Sequence, residues 1–233
     1  MCTIGTVYLD GNYLFKNRDP IRGTPVDEWI EQSVIGHLKM LIVKNSAGCY
    51  GGINSLGVGV IGTYVNIAEK QNNYFDSENL QEILFKGELE SMRDFLEKNP
   101  GHYYGNIICG DSKKSYAFEL NGSEAHGLTI ADRYVMTNHF QIEEQQIRTI
   151  GDQFIKTWTH TRLTRAKELI SNVKTYNDIV ALLSDHAYSP DYSICNHGKI
   201  PTKSSFIIDC KNYCIWFCQG APCKNGYKRY DFC

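Results

Sequence analysis

A cysteine directly after the first methionine is the residue of this sequence with the clearest chemical meaning. Removal of Met1 would leave Cys2 with a thiol and a free α-amine on one residue. Their ordinary pKa values of about 8.5 and about 8 suit a nucleophile and its base at neutral pH. The sequence therefore indicates an N-terminal cysteine nucleophile, with Cys2 as the candidate and the mature chain expected to start there.

The opening stretch MCTIGTVYLDGNYLFKNRDP predicts the element that would hold this cysteine. Apolar and polar residues alternate before the turn signal DGN, and the strand pattern resumes after it, which is typical of a β-hairpin. The returning strand would run back beside Cys2 and bring Asp19 close to it. From there the Asp19 carboxylate could accept a hydrogen bond from the α-amine and fix its orientation.

The remaining elements predict one α+β domain with layered sheets over residues 1–233. Apolar residues at helical spacing predict a helix in DSENLQEILFKGELESMRDFLEKNPG, and a helical region in two pieces covers about 142–186 with a break near 172–175;. We expect a strand, a glycine turn and a second strand in HLKMLIVKNSAGCYGGINSLGVGVIGTYV;. Single strands are expected in YYGNIICGD, KSYAFELNG and RYVMTNHF, and two in SSFIIDCKNYCIWFCQG;.

Composition excludes several classes of function. The formal net charge is −2, so there is no electrostatic case for nucleic acid or an anionic membrane as the partner;. No apolar run approaches the roughly 20 residues of a membrane span, and no secretory signal pattern is present at the start. We therefore expect a cytoplasmic protein.

The nine cysteines do not predict a disulfide framework or a metal centre. Their odd number and the missing signal peptide argue against disulfides. The run CKNYCIWFCQGAPC reads as a strand hairpin, and its cysteines lack the two close pairs of a zinc site. We expect them to be small buried side chains, with no metal and no cofactor.

Several short motifs, taken in order, carry a family resemblance. MC…KNRD, GGINSLGVGV and MTNHF, followed by SICNHG, TKSSFIID and GAPC, span nearly the whole chain. Together they resemble the N-terminal-nucleophile (Ntn) hydrolases, in the acyl-CoA:6-aminopenicillanic acid acyltransferase-like (peptidase C45) branch related to choloylglycine hydrolases. The resemblance implies a four-layer αββα sandwich.

The resemblance also implies roles for individual residues. Cys2 matches the nucleophile, Asp19 the carboxylate at the α-amine and Asn138 an oxyanion donor, with Asn54 as a second donor beside it. Donors of this kind are worth a few kcal/mol each. The alternatives are a glycine-flanked turn residue for Asn54 and a strand-end cap for Asn138.

Two cations of the implied site are ambiguous. Lys16 stands where the family has arginine, and Arg18 is the alternative on the same strand face, so either could assist Cys2. A second arginine is expected after TNHF, where Arg162 fits the pattern better than Arg165.

Histidines raise a different interpretation. His139 follows Asn138, and His197 lies in SICNHG, so a Cys–His protease arrangement is an alternative. An α-amine makes a histidine base unnecessary, and we expect both histidines to be structural.

The expected reaction is cleavage of a linear amide C–N bond in a small N-acyl amine or N-acyl amino acid, through an acyl-thioester on Cys2. One alternative is an acyltransferase that passes the acyl group to an amine, and another is a non-catalytic binding relative that retains Met1. We expect a small amide substrate as the partner, and neither nucleic acid nor a membrane. The sequence leaves open whether the protein forms a homo-oligomer. We expect aromatic residues to line the substrate pocket, namely Tyr64, Tyr74, Phe75, Tyr188 and Tyr192.

Overall fold

The computed structural model describes residues 2–20, 27–67, 78–146 and 149–233. Within these ranges the chain forms two antiparallel sheets and five α-helices. Tyr74 and Phe75 lie outside the described residues. None of the helices in the described part is long and apolar enough to cross a membrane.

The first sheet has six strands and carries the predicted hairpin near one edge. Its strands, in spatial order, are β10 (Arg133–Met136), β1 (Cys2–Tyr8), β2 (Asn12–Arg18), β11 (Ser204–Asp209), β12 (Cys214–Gln219) and β13 (Lys228–Asp231). Because β1 lies between β10 and β2, both of its edges are hydrogen-bonded for most of its length.

The second sheet has seven strands, and its spatial order follows the chain. The strands are β3 (Trp29–Ile35), β4 (Leu38–Asn45), β5 (Gly48–Asn54), β6 (Gly59–Tyr64), β7 (Tyr104–Gly110), β8 (Ser115–Asn121) and β9 (Ala125–Ile130). Consecutive antiparallel strands of this kind need only short turns, which the sequence supplies.

The helices pack on the outer faces of the two sheets. They are α1 (Glu78–Phe85), α2 (Leu89–Lys98), α3 (Glu143–Gln146), α4 (Gln153–Ile170) and α5 (Tyr176–Leu183), with a 3₁₀ turn at Pro100–His102. The first predicted helix is two helices, because Gly87 between them has a φ of +83°, which terminates α1;. The predicted break near 172–175 is present, and a reciprocal capping box of Thr175 and Asp178 starts α5;.

Three apolar clusters show that the layers are stacked as helix, sheet, sheet, helix. The middle cluster lies between the sheets and includes Ile4 and Leu14 of the first sheet and Ile53 and Ile61 of the second. Another joins the second sheet to α1 and α2, and a third joins the first sheet to α4 and α5. The predicted αββα fold is confirmed.

The hairpin of β1 and β2 has the predicted form, and its register pairs Cys2 with Arg18. Side chains alternate along β1, so Cys2 and Ile4 face the second sheet while Val7 faces the helices;. On β2, Leu14 faces the second sheet by the same rule. Cys2 is therefore held inside the protein.

The stretch expected as strand, turn and strand forms three strands, β4, β5 and β6, and three further strands at sheet edges were not predicted from the sequence. β3 lies at an edge of the second sheet and is largely exposed, β9 lies at its other edge, and β13 ends the first sheet. Edge strands bury few side chains, so their sequences lack the apolar alternation from which strands are recognised.

Asn54 holds the turn between β5 and β6 onto the end of α1. Its Oδ1 accepts hydrogen bonds from the backbone N–H groups of Leu56 and Val58, at 3.0 and 3.1 Å. Its Nδ2 donates to the carbonyl oxygens of Leu84 and Gly87, at 3.1 and 2.7 Å. The side chain is fully buried, and three of the four hydrogen bonds are buried as well, so their backbone groups have no ready access to water once Asn54 is removed;.

We expect Asn54→Ala to lower the free energy of unfolding by about 2–4 kcal/mol, since it leaves several buried backbone groups unpaired. Urea denaturation followed by circular dichroism measures this change. Asn172→Ala is the matched control, because Asn172 is exposed and its change should cost less than about 0.5 kcal/mol;. Equal stability losses in the two variants would contradict the structural role of Asn54.

Candidate functional site

Cys2 lies at the end of β1 with only 5% of its surface exposed. Its backbone nitrogen donates to Oδ1 of Asn138 at 2.8 Å. This nitrogen is the atom that would become the α-amine in a chain beginning at Cys2. Thiol and nitrogen are thus held together inside the protein rather than at a frayed end.

Asn138, just after β10, links three parts of the site. Its Oδ1 also accepts from Nη2 of Arg162 at 2.8 Å, while its Nδ2 donates to Thr63 Oγ1 at 2.6 Å and to the Tyr64 carbonyl at 2.7 Å. Both amide hydrogens are therefore used by β6. This differs from the predicted oxyanion donor, because the oxygen of Asn138, rather than its nitrogen, faces Cys2.

Arg162, which contacts Asn138, also forms a buried ion pair with Asp19. Both side chains are fully buried, and Nη1 of Arg162 lies 3.3 Å from Oδ2 of Asp19 and 3.0 Å from Oγ1 of Thr3. The Trp158 ring, one helical turn earlier on α4, lies 4.1 Å from the Arg162 guanidinium carbon. Of the two candidate arginines, only this one reaches the cluster.

Arg165 faces the surface instead. It pairs with Asp185 at 2.8 Å and with Glu168 at 3.2 Å. Three residues along a helix rotate a side chain enough to separate the buried Arg162 from a surface ion pair at Arg165.

Lys16 and Arg18 both bring positive charge to the space between the sheets. Lys16 is fully buried, and its Nζ donates to the carbonyls of Tyr50 and Gly62 at 3.0 and 2.7 Å. Arg18 forms an ion pair with Glu28 and donates to the Tyr50 hydroxyl at 3.0 Å. The charge of Arg18 is balanced by a carboxylate, whereas Lys16 is held by neutral carbonyls in these contacts.

These charges set the ionisation of the Cys2 thiol. Burial alone would raise its pKa and Asp19 acts in the same direction, but the positive charges of Lys16 and Arg18 help to bring the pKa below its ordinary value;. Of these two cations, Lys16 has the larger effect on the Cys2 pKa.

Other thiols of the described chain behave in the opposite way. Burial raises the pKa of Cys49 to about 11 and that of Cys109 to about 12. The pKa values of four more thiols are raised too, again chiefly by burial: Cys195, Cys210, Cys214 and Cys218. A thiol that is both buried and acidified therefore distinguishes Cys2 from these six.

Asn54 is not brought to this cluster. It pairs with Val58 at one end of β6, whereas Asn138 contacts Tyr64 at the other. The six residue steps from Val58 to Tyr64 correspond to about 20 Å of extended chain. The expected second oxyanion donor is therefore wrong, since its side chain is engaged in the turn that it stabilises.

The two candidate histidines lie outside the Cys2 cluster. His139 contacts Thr137 and Thr159 through Nδ1, at 3.2 and 2.9 Å, and its ring packs on His160. Burial, with smaller effects of His160 and Arg162, lowers the pKa of His139 to about 3. His197 lies beside Cys195 and Cys223.

The described aromatic residues that were expected to line the pocket lie in different surroundings. The carbonyl of Tyr64 contacts Asn138, Tyr192 packs against Phe154 with ring centroids 5.6 Å apart, and Tyr188 is exposed. Phe154 in turn stacks near Trp158, so aromatic rings lead along α4 towards Arg162.

Sequence reasoning missed several residues that hold the site in place. Thr202 donates to Oδ1 of Asp19 at 2.7 Å, and Thr63 contacts Asn138 at 2.6 Å. Glu28 balances Arg18. Thr202 lies within the motif TKSSFIID and could have been found there, whereas nothing in the local sequence marks Thr63 or Glu28.

Comparison with known structures identifies the fold. Penicillin V acylase from Agrobacterium tumefaciens superposes with a TM-score of 0.56 at 16% identity, over 93% of this chain and 82% of that one. The C2A mutant of the conjugated bile acid hydrolase from Clostridium perfringens gives a TM-score of 0.61 at 12% identity, over 100% of this chain and 97% of that one. This is the αββα sandwich of the Ntn hydrolases. At such identities the likeness establishes the fold alone.

Sequence comparison assigns the family. No protein of curated function matches the chain. The family model described as acyl-coenzyme A:6-aminopenicillanic acid acyl-transferase matches residues 8–224, which is most of the chain. The motifs around Asp19, Asn138 and Arg162 all fall within this match. The chain belongs to the acyl-coenzyme A:6-aminopenicillanic acid acyl-transferase family.

Proposed function

We propose that this protein is an N-terminal cysteine amidase that cleaves a linear amide C–N bond in a small N-acyl amine or N-acyl amino acid. Cys2, freed by removal of Met1, is the nucleophile in this proposal. The family supports an enzyme of amide-bond chemistry, since its model is named for an acyl-transferase and the structural neighbours are named as an acylase and a hydrolase.

The observation that carries the proposal is the burial of charge around Cys2. Lys16, Arg18, Arg162 and Asp19 are all at most 2% exposed, and Glu28 is 8% exposed. Removing charges from water costs several kcal/mol for each ion, so a structural role alone explains such a cluster poorly. Clusters of this kind are typical of functional sites.

The balance of these charges favours a thiolate. Three cations (Lys16, Arg18 and Arg162) face two carboxylates, and the excess positive charge lies beside Cys2. The same excess would stabilise the oxyanion that forms when the thiolate attacks an amide carbonyl. We therefore assign the electrostatic role to the cations, and the nucleophilic role to Cys2.

The α-amine serves as the base and acid in the proposed mechanism. It accepts the thiol proton and delivers it to the departing amine, so the acyl group is left on sulfur as a thioester, which water then hydrolyses. Asn138 supplies an oxygen atom to this nitrogen, and Asp19 is linked to Asn138 through Arg162. We assign both as positioning residues, with Arg162 holding the two of them.

An acyltransferase is the alternative, and the family description favours considering it. The first half of the reaction is the same, and an amine replaces water in the second half. Adding a panel of amines during turnover separates the two, because a transferase forms the new amide in preference to the free acid. A non-catalytic relative would keep Met1, which the mass of the intact protein reveals.

We expect Cys2→Ala to abolish turnover of N-acyl amides, since no other thiol of the cluster can take its place. In the wild-type protein, acid quenching during turnover should trap the acyl group on Cys2, as shown by peptide mass spectrometry. The matched control is Cys233→Ala, which removes an exposed thiol far from β1 in sequence and should retain full activity. Full activity in Cys2→Ala would refute the proposed function.

We expect Lys16→Met to raise the pH at which Cys2 becomes reactive, because the thiolate loses a nearby cation;. A cation favours the deprotonated thiol, so its removal leaves less thiolate at pH 7 and slower alkylation. The rate of iodoacetamide labelling at Cys2, followed by mass spectrometry from pH 5 to pH 10, measures this shift without a substrate.

Lys44→Met is the control for that experiment, because Lys44 lies on β4 in a partly exposed pair with Glu31. Its labelling profile should match that of the wild-type protein. An unchanged profile in Lys16→Met would show that Lys16 does not acidify Cys2.

We expect Asn138→Ala to lower kcat by about 10²-fold, as a misplaced reactive group does, and to shift the acidic limb of the kcat/KM profile to lower pH. The carbonyl oxygen of Asn138 stabilises a protonated amine, so its loss should lower the pKa of that amine. Thr63→Val is the comparison, because it touches only the nitrogen side of Asn138 and should leave the limb in place. A loss of kcat without a shifted limb would instead support an oxyanion donor.

A further inference from the structure

Three side chains that bind soft metal ions meet outside the Cys2 cluster. Cys195 and His197 come from the segment between α5 and β11, and Cys223 comes from the turn between β12 and β13. The Sγ atoms of Cys195 and Cys223 are 3.5 Å apart. Nε2 of His197 lies 3.8 Å from Sγ of Cys195 and 3.2 Å from Sγ of Cys223.

These separations match the edges of a coordination tetrahedron. Zinc bonds to sulfur and nitrogen of about 2.3 and 2.05 Å place two sulfurs about 3.8 Å apart and a sulfur and a nitrogen about 3.6 Å apart. Each observed distance lies within 0.4 Å of its ideal value. Small side-chain adjustments would therefore let all three atoms bind one ion.

The backbone around the three side chains is held before any ion binds. The N–H of Cys195 donates to the Asp185 carbonyl at 2.8 Å, and that of His197 donates to the Pro190 carbonyl at 3.0 Å. On the other side, the N–H of Lys224 closes the turn onto the Ala221 carbonyl at 3.0 Å. A preformed arrangement lowers the ordering cost of binding.

We propose that Cys195, His197 and Cys223 form a site for a borderline-soft divalent ion of the Zn²⁺ class. Two thiolates and an imidazole are the donors that such ions prefer, and binding releases the two thiol protons. Cys223 and His197 are partly exposed, so solvent supplies the fourth ligand. The sequence analysis considered only the cysteines of residues 210–223 as metal ligands and therefore predicted no metal. Of these cysteines, Cys223 lies beside two ligands from another segment, Cys195 and His197.

The ion would restrain residues 195–202, the segment whose Thr202 donates a hydrogen bond to Asp19. Asn196, between the two ligands, donates its backbone N–H to Thr202 Oγ1 at 2.8 Å, and Thr202 donates to Asp19 at 2.7 Å. The site also joins this segment to the β12–β13 turn, 28 residues further along the chain. We assign the ion a structural role, because two successive hydrogen bonds connect Asn196 to Asp19 of the proposed active site.

Cobalt titration tests the proposal without measuring activity. Chelator-treated, reduced protein is titrated with Co²⁺, and absorption is recorded. We expect sulfur-to-cobalt charge transfer in the near ultraviolet and intense visible bands of a tetrahedral ion, saturating at one ion per chain and lost when Zn²⁺ is added. Zn²⁺ should also raise the melting temperature.

Matched variants locate the ligands. Cys195→Ser, Cys223→Ser and His197→Ala should each lose the tetrahedral bands, and the partly exposed His197 provides a variant least prone to misfolding. Cys218→Ser should retain them, because Sγ of Cys218 contacts backbone carbonyls of the same hairpin. Cys2→Ala should also retain them, which separates this site from the thiol of the proposed function.

Three results would overturn the proposal. One is the absence of tetrahedral bands in the folded wild-type protein. Another is their survival in His197→Ala or their loss in Cys2→Ala. The third is conversion of Cys195 and Cys223 to a disulfide under mild oxidation without any Co²⁺ binding by the reduced form, which would make them a redox pair.

Discussion

The guanidinium of Arg162 is the contact on which the arrangement around Cys2 depends. It reaches from α4 through the end of the first sheet and contacts Thr3 of β1, Asp19 beyond β2 and Asn138 beyond β10. Three segments that are far apart in the sequence are thus positioned by one planar group. A guanidinium suits this task because its five donors have a fixed geometry.

Burial explains both the strength and the cost of this arrangement. Burial lowers the pKa of Arg162 and raises that of Asp19, so each ion would be unfavourable without the other;. The stacking of Trp158 on the guanidinium covers the face that makes no hydrogen bonds;. Trp158 therefore helps to stabilise the charge of Arg162, although it carries no charge itself.

Much of this site could be predicted from the sequence because it is built from local patterns. The DGN turn and the alternation around it determine the hairpin, and the hairpin brings Arg18 opposite Cys2. Apolar periodicity likewise locates α4. The resemblance then selects Asp19, Asn138 and Arg162, and in the structure Asn138 contacts the nitrogen of Cys2 while Arg162 contacts both Asn138 and Asp19.

The errors come from contacts between distant elements. The orientation of the Asn138 amide is decided by Thr63, 75 residues away, and by Arg162. Asn54 lies in a recognisable motif, but its partners Leu84 and Gly87 belong to a helix end that no local pattern connects to it. Cys223 was grouped with its neighbours in sequence, whereas the fold pairs it with Cys195.

The pairing of β1 on both sides has a practical consequence for anyone who produces this protein. Cys2 lies at the end of this strand and faces the second sheet. Under the proposed function, a peptide fused ahead of Cys2 would convert its amine into an amide, which is not basic. Cys233, by contrast, is exposed beyond the edge strand β13. Under the proposed function an affinity tag therefore belongs after Cys233, and an amino-terminal tag suits activity measurements only if a protease later restores Cys2 as the first residue.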